Sequence, residues 1–261
     1  MGILNLTPDS FYDGGKYASV ESAIKRGKEI IEEGAHIIDV GAESTRPGSL
    51  GISLEDEISR LEPILKGLKK LSAAPVSLDT NKPLVAKRFL KDGLVHMIND
   101  VTGLRDPLMV EVAQEYDVPV VMMHMYGTPR TMQADYQYED IVDDLMTFFE
   151  KRIKETGLKK VILDPGIGFG KSVEHNLEII RRLPEFLRLG FPVMLGISRK
   201  FFIGRILGLE PENRLEGSLA SLAVAVQNGV SMVRVHDVKE SLRTIKIVEA
   251  IKNVDYKEVS V

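Results

Sequence analysis

His36-Ile-Ile-Asp-Val-Gly-Ala42, the loop Glu43-Ser-Thr-Arg-Pro-Gly-Ser-Leu-Gly51, the segment Leu54–Leu71 and the run Pro75-Val-Ser-Leu-Asp-Thr80 follow one another and set out the building unit of the chain. The two outer runs are short and apolar, the size of buried strands. Between them Leu54, Ile58, Leu61, Leu65 and Leu68 recur at helical intervals, which predicts one helix with an apolar face turned to a sheet. Ser53, with Asp56 three residues on, gives that helix a capping-box-like start. A strand, a polar loop and a helix leading to the next strand is the unit from which parallel sheets are made.

The same rhythm runs outward in both directions. Short apolar runs at Gly2–Leu6, Met97–Asp100, Val118–His124, Val161–Pro165, Pro192–Ser198 and Met232–Asp237 bring the candidate strands to eight. Ser19–Glu33 reads as a helix with Ile24, Ile30 and Ile31 on one side and Lys25, Arg26, Lys28 and Glu32 on the other, stopped by Gly34. No Ser/Gly-rich linker or change of composition interrupts the 261 residues. The pattern predicts an α/β fold with a single domain over residues 1–261, a (β/α)8 barrel, with a doubly wound parallel sheet as runner-up. The barrel places functional residues at the carboxyl ends of the strands.

Composition narrows the function. With 34 Lys+Arg against 38 Asp+Glu, the net charge of −4 argues against a general nucleic-acid binder, so an anionic ligand has to be held locally. The absence of cysteine excludes disulfides, thiolate metal sites and a cysteine nucleophile, and points to the cytoplasm. Apolar runs such as Val118–Met123 fall far short of the roughly 20 residues a membrane helix needs, and the first residues lack a signal-peptide pattern.

Polar residues stand where the apolar runs stop: Asn5, Glu43, Asp79, Asn99, His124, Asp164, Ser198, and the pair Arg234 and His236. Singly, Asp, Asn and Ser suit turns and helix caps, and Asp100 and Ser198 fit that reading. As a set at every strand end they predict a site. Asp164-Pro-Gly-Ile-Gly-Phe-Gly-Lys-Ser172 is not a P-loop, because the first glycine of such a motif falls on Pro165. Its glycines permit a flat ligand to approach the backbone beside Asp164, whose carboxylate suits a guanidine-like edge. Arg234 and His236 alternate on one strand and share a face; with Arg46 and Lys200 they predict a cationic pocket for phosphate or pyrophosphate. The loops Thr7–Gly15 and Glu43–Gly51 combine glycine, proline, hydroxyls and charge, as mobile substrate loops do. Five scattered histidines without a paired spacing give no zinc motif. The pairs Met122-Met123 and Phe201-Phe202 read as core and loop packing.

Eight stretches together resemble the dihydropteroate synthase family. They are Met1–Phe11, Asp39–Gly48, Ser77–Thr80, Ile98–Val101, His124–Gln133, Leu163–Lys171, Ser198–Lys200 and Arg234–Val238, in the family's order from end to end. The resemblance implies an enzyme that condenses 6-hydroxymethyl-7,8-dihydropterin pyrophosphate with p-aminobenzoate by an SN1-like path. It also implies a cytoplasmic homodimer with small-molecule substrates and no nucleic-acid or membrane partner. Carried over residue by residue, Asn5 holds Mg²⁺ and pyrophosphate, and Arg234 and His236 bind the pyrophosphate, Arg234 also flanking the pterin. Asp79, Asn99, Asp164 and Lys200 grip the pterin, Asp164 at its 2-amino edge. Phe11, Asp13, Thr45 and Arg46 close over the site and shape the p-aminobenzoate pocket, where sulfonamides compete in the family. Asp79, Lys200, Arg234 and His236 form the implied catalytic set. Phe201 stands where many members carry Ser or Arg, so the resemblance implies no polar contact from that position. The rival readings are a methyltetrahydrofolate-dependent corrinoid methyltransferase, a Schiff-base lyase using Lys200, and an inactive pterin-binding subunit.

Overall fold

Eight parallel strands alternate with helices in the computed structural model, which describes residues 1–6, 15–44, 51–127 and 136–253. In chain order the first half runs β1 Gly2–Asn5, α1 Gly15–Glu32, β2 Ile38–Gly41, α2 Leu54–Leu71, β3 Val76–Asp79, α3 Pro83–Lys91, β4 Met97–Asp100 and α4 Pro107–Glu115. The second half continues β5 Val120–Met123, α5 Ile141–Thr156, β6 Val161–Asp164, α6 Val173–Arg181, α7 Leu183–Phe186, β7 Met194–Leu195, α8 Phe201–Leu207, α9 Leu215–Gln227, β8 Met232–Val233 and α10 Val238–Lys252.

Strands β1 to β6 pair side by side in sequence order, and β7 pairs with β8. Two further parallel bridges, Leu163 with Val193 and Gly2 with Val235, join the two sheets at both seams. The second seam is tied by Ile3 N–H to Val235 O and Val235 N–H to Met1 O, each 3.0 Å. The strands therefore run in a ring from β1 to β8 and back, the closed form of a parallel sheet. Regular pairing in β7 and β8 is shorter than the predicted Pro192–Ser198 and Met232–Asp237. Regular pairing stops at Leu195, and Arg199, with a φ of 56°, ends any extended run.

The helices begin and end where the residues dictate. Ser53 caps α2 by accepting the Asp56 N–H at 3.0 Å, while its hydroxyl donates to the Asp56 carboxylate at 2.8 Å. Gly34, at φ 101°, stops α1 as expected. Leu61, Leu65 and Leu68 of α2 are buried against the barrel wall with Ile38, Val40, Val76 and Leu78. Among the described residues no helix is long and apolar enough to cross a membrane.

Candidate active site

The period-two alternation of the strands decides what enters the barrel. Residues i and i+2 share a face, so Ile37 pairs with Asp39, Met97 with Asn99, Ile162 with Asp164 and Met232 with Arg234. The lower members join Met1, Val121 and Met194 in an apolar plug. The upper members form a polar layer above that plug, and over it opens a cavity of about 730 Å³. Asn5, Asp79, Asn99, Asp164, Lys200, Arg234 and His236 all line this cavity. Every described residue of the predicted site is thus brought to one mouth, although the strands that carry them span the whole chain. Phe11, Asp13, Thr45 and Arg46 lie outside the described residues.

Arg234 organises the floor. Its Nε donates to Asp39 Oδ2 at 2.6 Å and its Nη2 to Asp79 Oδ2 at 2.7 Å. Asn99 Nδ2 adds a third contact, to Asp39 Oδ2 at 3.1 Å. Burial disfavours the guanidinium charge, and the Asp39 and Asp79 carboxylates outweigh it, so the arginine is held charged above its usual range. Burial also pushes Asp79 up, with Arg234 opposing. Asp39, fully buried, was missed as a site residue from sequence because it lies within an apolar run rather than at its end. The available signal was a carboxylate inside a buried strand, which needs a cation. One of its oxygens, Oδ1, has no partner among the described residues.

The β6 end supplies the opposite chemistry. Asp164 is 5% exposed, accepts the Gly166 N–H at 2.8 Å, and is raised by burial against the pull of Lys200 and Lys171. Lys200, at the start of α8, sits 4.3 Å over the Phe169 ring and is brought down to about 8 by burial. The glycines here serve the backbone first. Gly166 has φ 72°, and a Cβ on it would overlap the His124 carbonyl oxygen. A Cβ on Gly168 would meet Lys200 Cδ at 3.3 Å. Close packing of the loop on β5 and on Lys200 therefore explains them before any ligand does.

His236 shares its Nδ1 with Ser198 Oγ at 3.1 Å, and Ser198 also accepts the His236 backbone N–H at 3.3 Å. Ser198 is thus a holder of His236 rather than a cap. Asp100 fits the turn reading: it accepts from the N–H and hydroxyl of Thr102, both at 2.7 Å, and from the Leu104 N–H at 3.1 Å. Glu43 and the fully buried Glu57 share Lys82, with Lys82 Nζ 2.6 Å from Glu57 Oε2. Met122 and Phe202 are buried packing residues, whereas Met123, also buried, and Phe201 line the cavity.

Comparison with known proteins agrees with this geometry. The family of pterin binding enzymes matches residues 1–236. A dihydropteroate synthase of Escherichia coli strain K12 is 43% identical over 255 residues, covering 96% of this chain and 90% of the relative. A Clostridium difficile dihydropteroate synthase solved in the presence of pteroic acid superposes with a TM-score of 0.89 at 44% identity, over 96% of this chain and 95% of that one. The Xanthomonas albilineans dihydropteroate synthase with 4-aminobenzoic acid gives a TM-score of 0.90 at 40% identity, over 97% and 92%. On its sequence, its fold and the contents of its barrel mouth, the chain belongs to the dihydropteroate synthase family of pterin-binding enzymes.

Proposed function

We propose that the chain joins 6-hydroxymethyl-7,8-dihydropterin pyrophosphate to p-aminobenzoate in its barrel mouth, giving 7,8-dihydropteroate and pyrophosphate. The observation that carries this is the sharing of one cavity by an acid-and-amide group, Asp164 and Asn99, and a cationic pair, Arg234 and Lys200, beside His236, which burial and Arg234 bring down to about 4, so that it offers a neutral imidazole. Asp164 is read as the acceptor for the 2-amino edge of the ring, with Asn99, Asp79 and Lys200 on its other polar atoms. Charge-assisted bonds of this kind contribute about 1.5–3 kcal/mol each.

The reaction breaks the C–O bond to the diphosphate, which leaves with the bonding electrons. Positive charge grows on the pterin methylene, and the amine lone pair of p-aminobenzoate then forms the C–N bond and releases a proton. Arg234 and His236 are read as meeting the developing anion, and Asp164, with the Asp79 that Arg234 holds, as offsetting the developing cation. Groups fixed before the reaction stabilise these charges more in the transition state than in the ground state. Exclusion of water protects the cation, a task that falls to the loops bearing Phe11, Asp13, Thr45 and Arg46.

The donor chemistry fits Mg²⁺ in a limited way. Asn5 offers a hard amide oxygen at the cavity, and no group of three His, Cys, Asp or Glu capable of holding a metal exists among the described residues. Such an ion is read as held by Asn5 together with the substrate's own diphosphate oxygens, where it neutralises leaving-group charge. A homodimer is proposed as well. Leu177 of α6, Ile206 and Leu207 of α8, Val224 of α9, and Ile247 and Ile251 of α10 are exposed apolar residues on neighbouring helices. The cytoplasm is the proposed compartment, in keeping with the cysteine-free chain. Incubation with the pterin pyrophosphate, Mg²⁺ and p-aminobenzoate tests the reaction: equimolar dihydropteroate and pyrophosphate are expected, and release of neither overturns it.

A further inference from the structure

Behind the wall that carries Asp164 lies a second lysine, unused by the steps above. Lys171 is wholly buried. Its ammonium reaches three acceptors: Nδ1 of His124 at 3.1 Å, the His124 carbonyl at 3.4 Å and the Phe169 carbonyl at 3.0 Å. One group thereby ties the end of β5 to the loop that follows β6. A buried cation costs several kcal/mol unless a counter-charge offsets it. Here that counter-charge is Asp164, which favours the ammonium while Lys171 favours the carboxylate. Gly166 stands between them: it donates its N–H to Asp164 at 2.8 Å, and a Cβ on it would lie 3.4 Å from Lys171 Nζ. The Phe169 whose carbonyl Lys171 holds carries Lys200 over its ring.

We propose that Lys171 is a positioning residue for pterin recognition, its buried amine fixing the Gly166–Phe169 backbone against which the ring lies and setting a positive charge behind Asp164. The proposal rests on the reading of Asp164 as the ring-gripping acid. The other titratable or charged groups facing the pair are His124 at the end of β5, His175 on α6, Lys200 before α8 and Arg234 after β8. None of them is acidic; Lys200 favours the Asp164 carboxylate more than Lys171 does, and burial brings Lys171 itself down to about 7, so Lys171 adds its charge below that pH. Burial and Lys171 hold His124 down to about 2, so its imidazole stays neutral and accepts from the lysine.

Lys171→Met, close in size but uncharged, and Lys171→Arg, which keeps the charge, test this by titration with 6-hydroxymethylpterin across roughly pH 5 to 9. Affinity falls on the acid side as Asp164 takes up a proton, and loss of the ammonium makes that proton easier to gain. Lys171→Met is therefore expected to bind about tenfold more weakly near neutrality, with its acid limb moved up by about one pH unit. The KM for p-aminobenzoate stays within about twofold of the parent value, and Lys171→Arg restores the limb. Parent-like affinity in Lys171→Met, or a uniform loss with an unmoved limb, overturns the proposal. Asp164→Asn separates the two layers: normal pterin binding there removes the reading beneath, whereas weak binding there with normal Lys171→Met removes this inference alone. Should Lys171→Met not fold, NMR titration of the Asp164 carboxyl carbon and the Lys171 amine nitrogen in the unaltered protein decides in its place. Reciprocal titration supports the coupling, and independent titration overturns it.

Discussion

Arg234 commits its Nε and Nη2 to Asp39 and Asp79, so its remaining N–H groups are aimed by a two-point anchor. An arginine held this way meets a diphosphate without first losing side-chain freedom, which a lysine at the same place does not achieve. Lys200 is the softer cation. Burial brings it down to about 8, so the empty protein holds it partly neutral in mildly alkaline solution. Because the folded value lies below the ordinary 10.5, the unfolded chain binds more protons between those values, and this group's contribution to stability rises as pH climbs from 8 towards 10.5. A bound diphosphate reverses the balance by drawing the proton back. Calorimetric binding of the pterin pyrophosphate near pH 8, in buffers of different ionisation enthalpy, is expected to show uptake of about half a proton per site. Lys200→Met should abolish that uptake; persistence of the uptake in the variant assigns it to another group.

At the scale of elements, the β6–α6 loop and the β3–α3 junction show how local backbone supports the mouth. Gly166 and Gly157 both adopt positive φ, at 72° and 62°, but a Cβ on Gly157 meets nothing within 4 Å whereas one on Gly166 overlaps backbone. Gly157→Ala is expected to cost about 1 kcal/mol in denaturant unfolding. Gly166→Ala should cost about 2 kcal/mol or more and raise the KM for the pterin substrate about tenfold, since the loop bearing Asp164's partner must shift. Equal effects of the two changes contradict this account. The Glu43–Lys82–Glu57 cluster ties the end of β2 to the start of α2. Lys82→Met leaves the buried Glu57 unpaired and should destabilise by about 3 kcal/mol, most of it recovered by adding Glu57→Gln; chemical denaturation of the single and double variants reads this out.

These elements also show how far the sequence could be read. Apolar runs such as Val120–Met123 and Val161–Asp164 declared themselves, because both faces of a barrel strand are buried and no polar alternation blurs them. The polar residues that end the runs were legible as a set for the same reason. Asp39 was not, because a run apolar on both sides does not tell which side faces the barrel axis. Lys171 was hidden differently: a lysine in a glycine-rich loop reads as solvated, and only the fold reveals three acceptors around it. The glycines of that loop were read towards a ligand, and the structure gives their first task to backbone packing.

The whole molecule divides its labour along the barrel axis. The amino-terminal half of the interior is filled by Met97, Val121, Ile162 and Met194, an apolar plug that supports the ring. The carboxyl-terminal half holds the charged layer, whose burial costs stability that bound substrate is expected to return. Acid from β6 and base from β8 meet there because only β7 separates their strands, through the Leu163–Val193 bridge and the β7–β8 pairing, while the Gly2–Val235 seam sets Arg234 beside the strand bearing Asn5. The central claim is that these two groups recognise opposite ends of one ligand. Calorimetric titration of Asp164→Asn and Arg234→Ala, each with 6-hydroxymethylpterin and with its pyrophosphate ester, tests it most directly. Asp164→Asn is predicted to weaken both ligands by a similar factor, and Arg234→Ala to weaken the pyrophosphate ester far more than the phosphate-free pterin. The same pattern of losses in both variants contradicts the account.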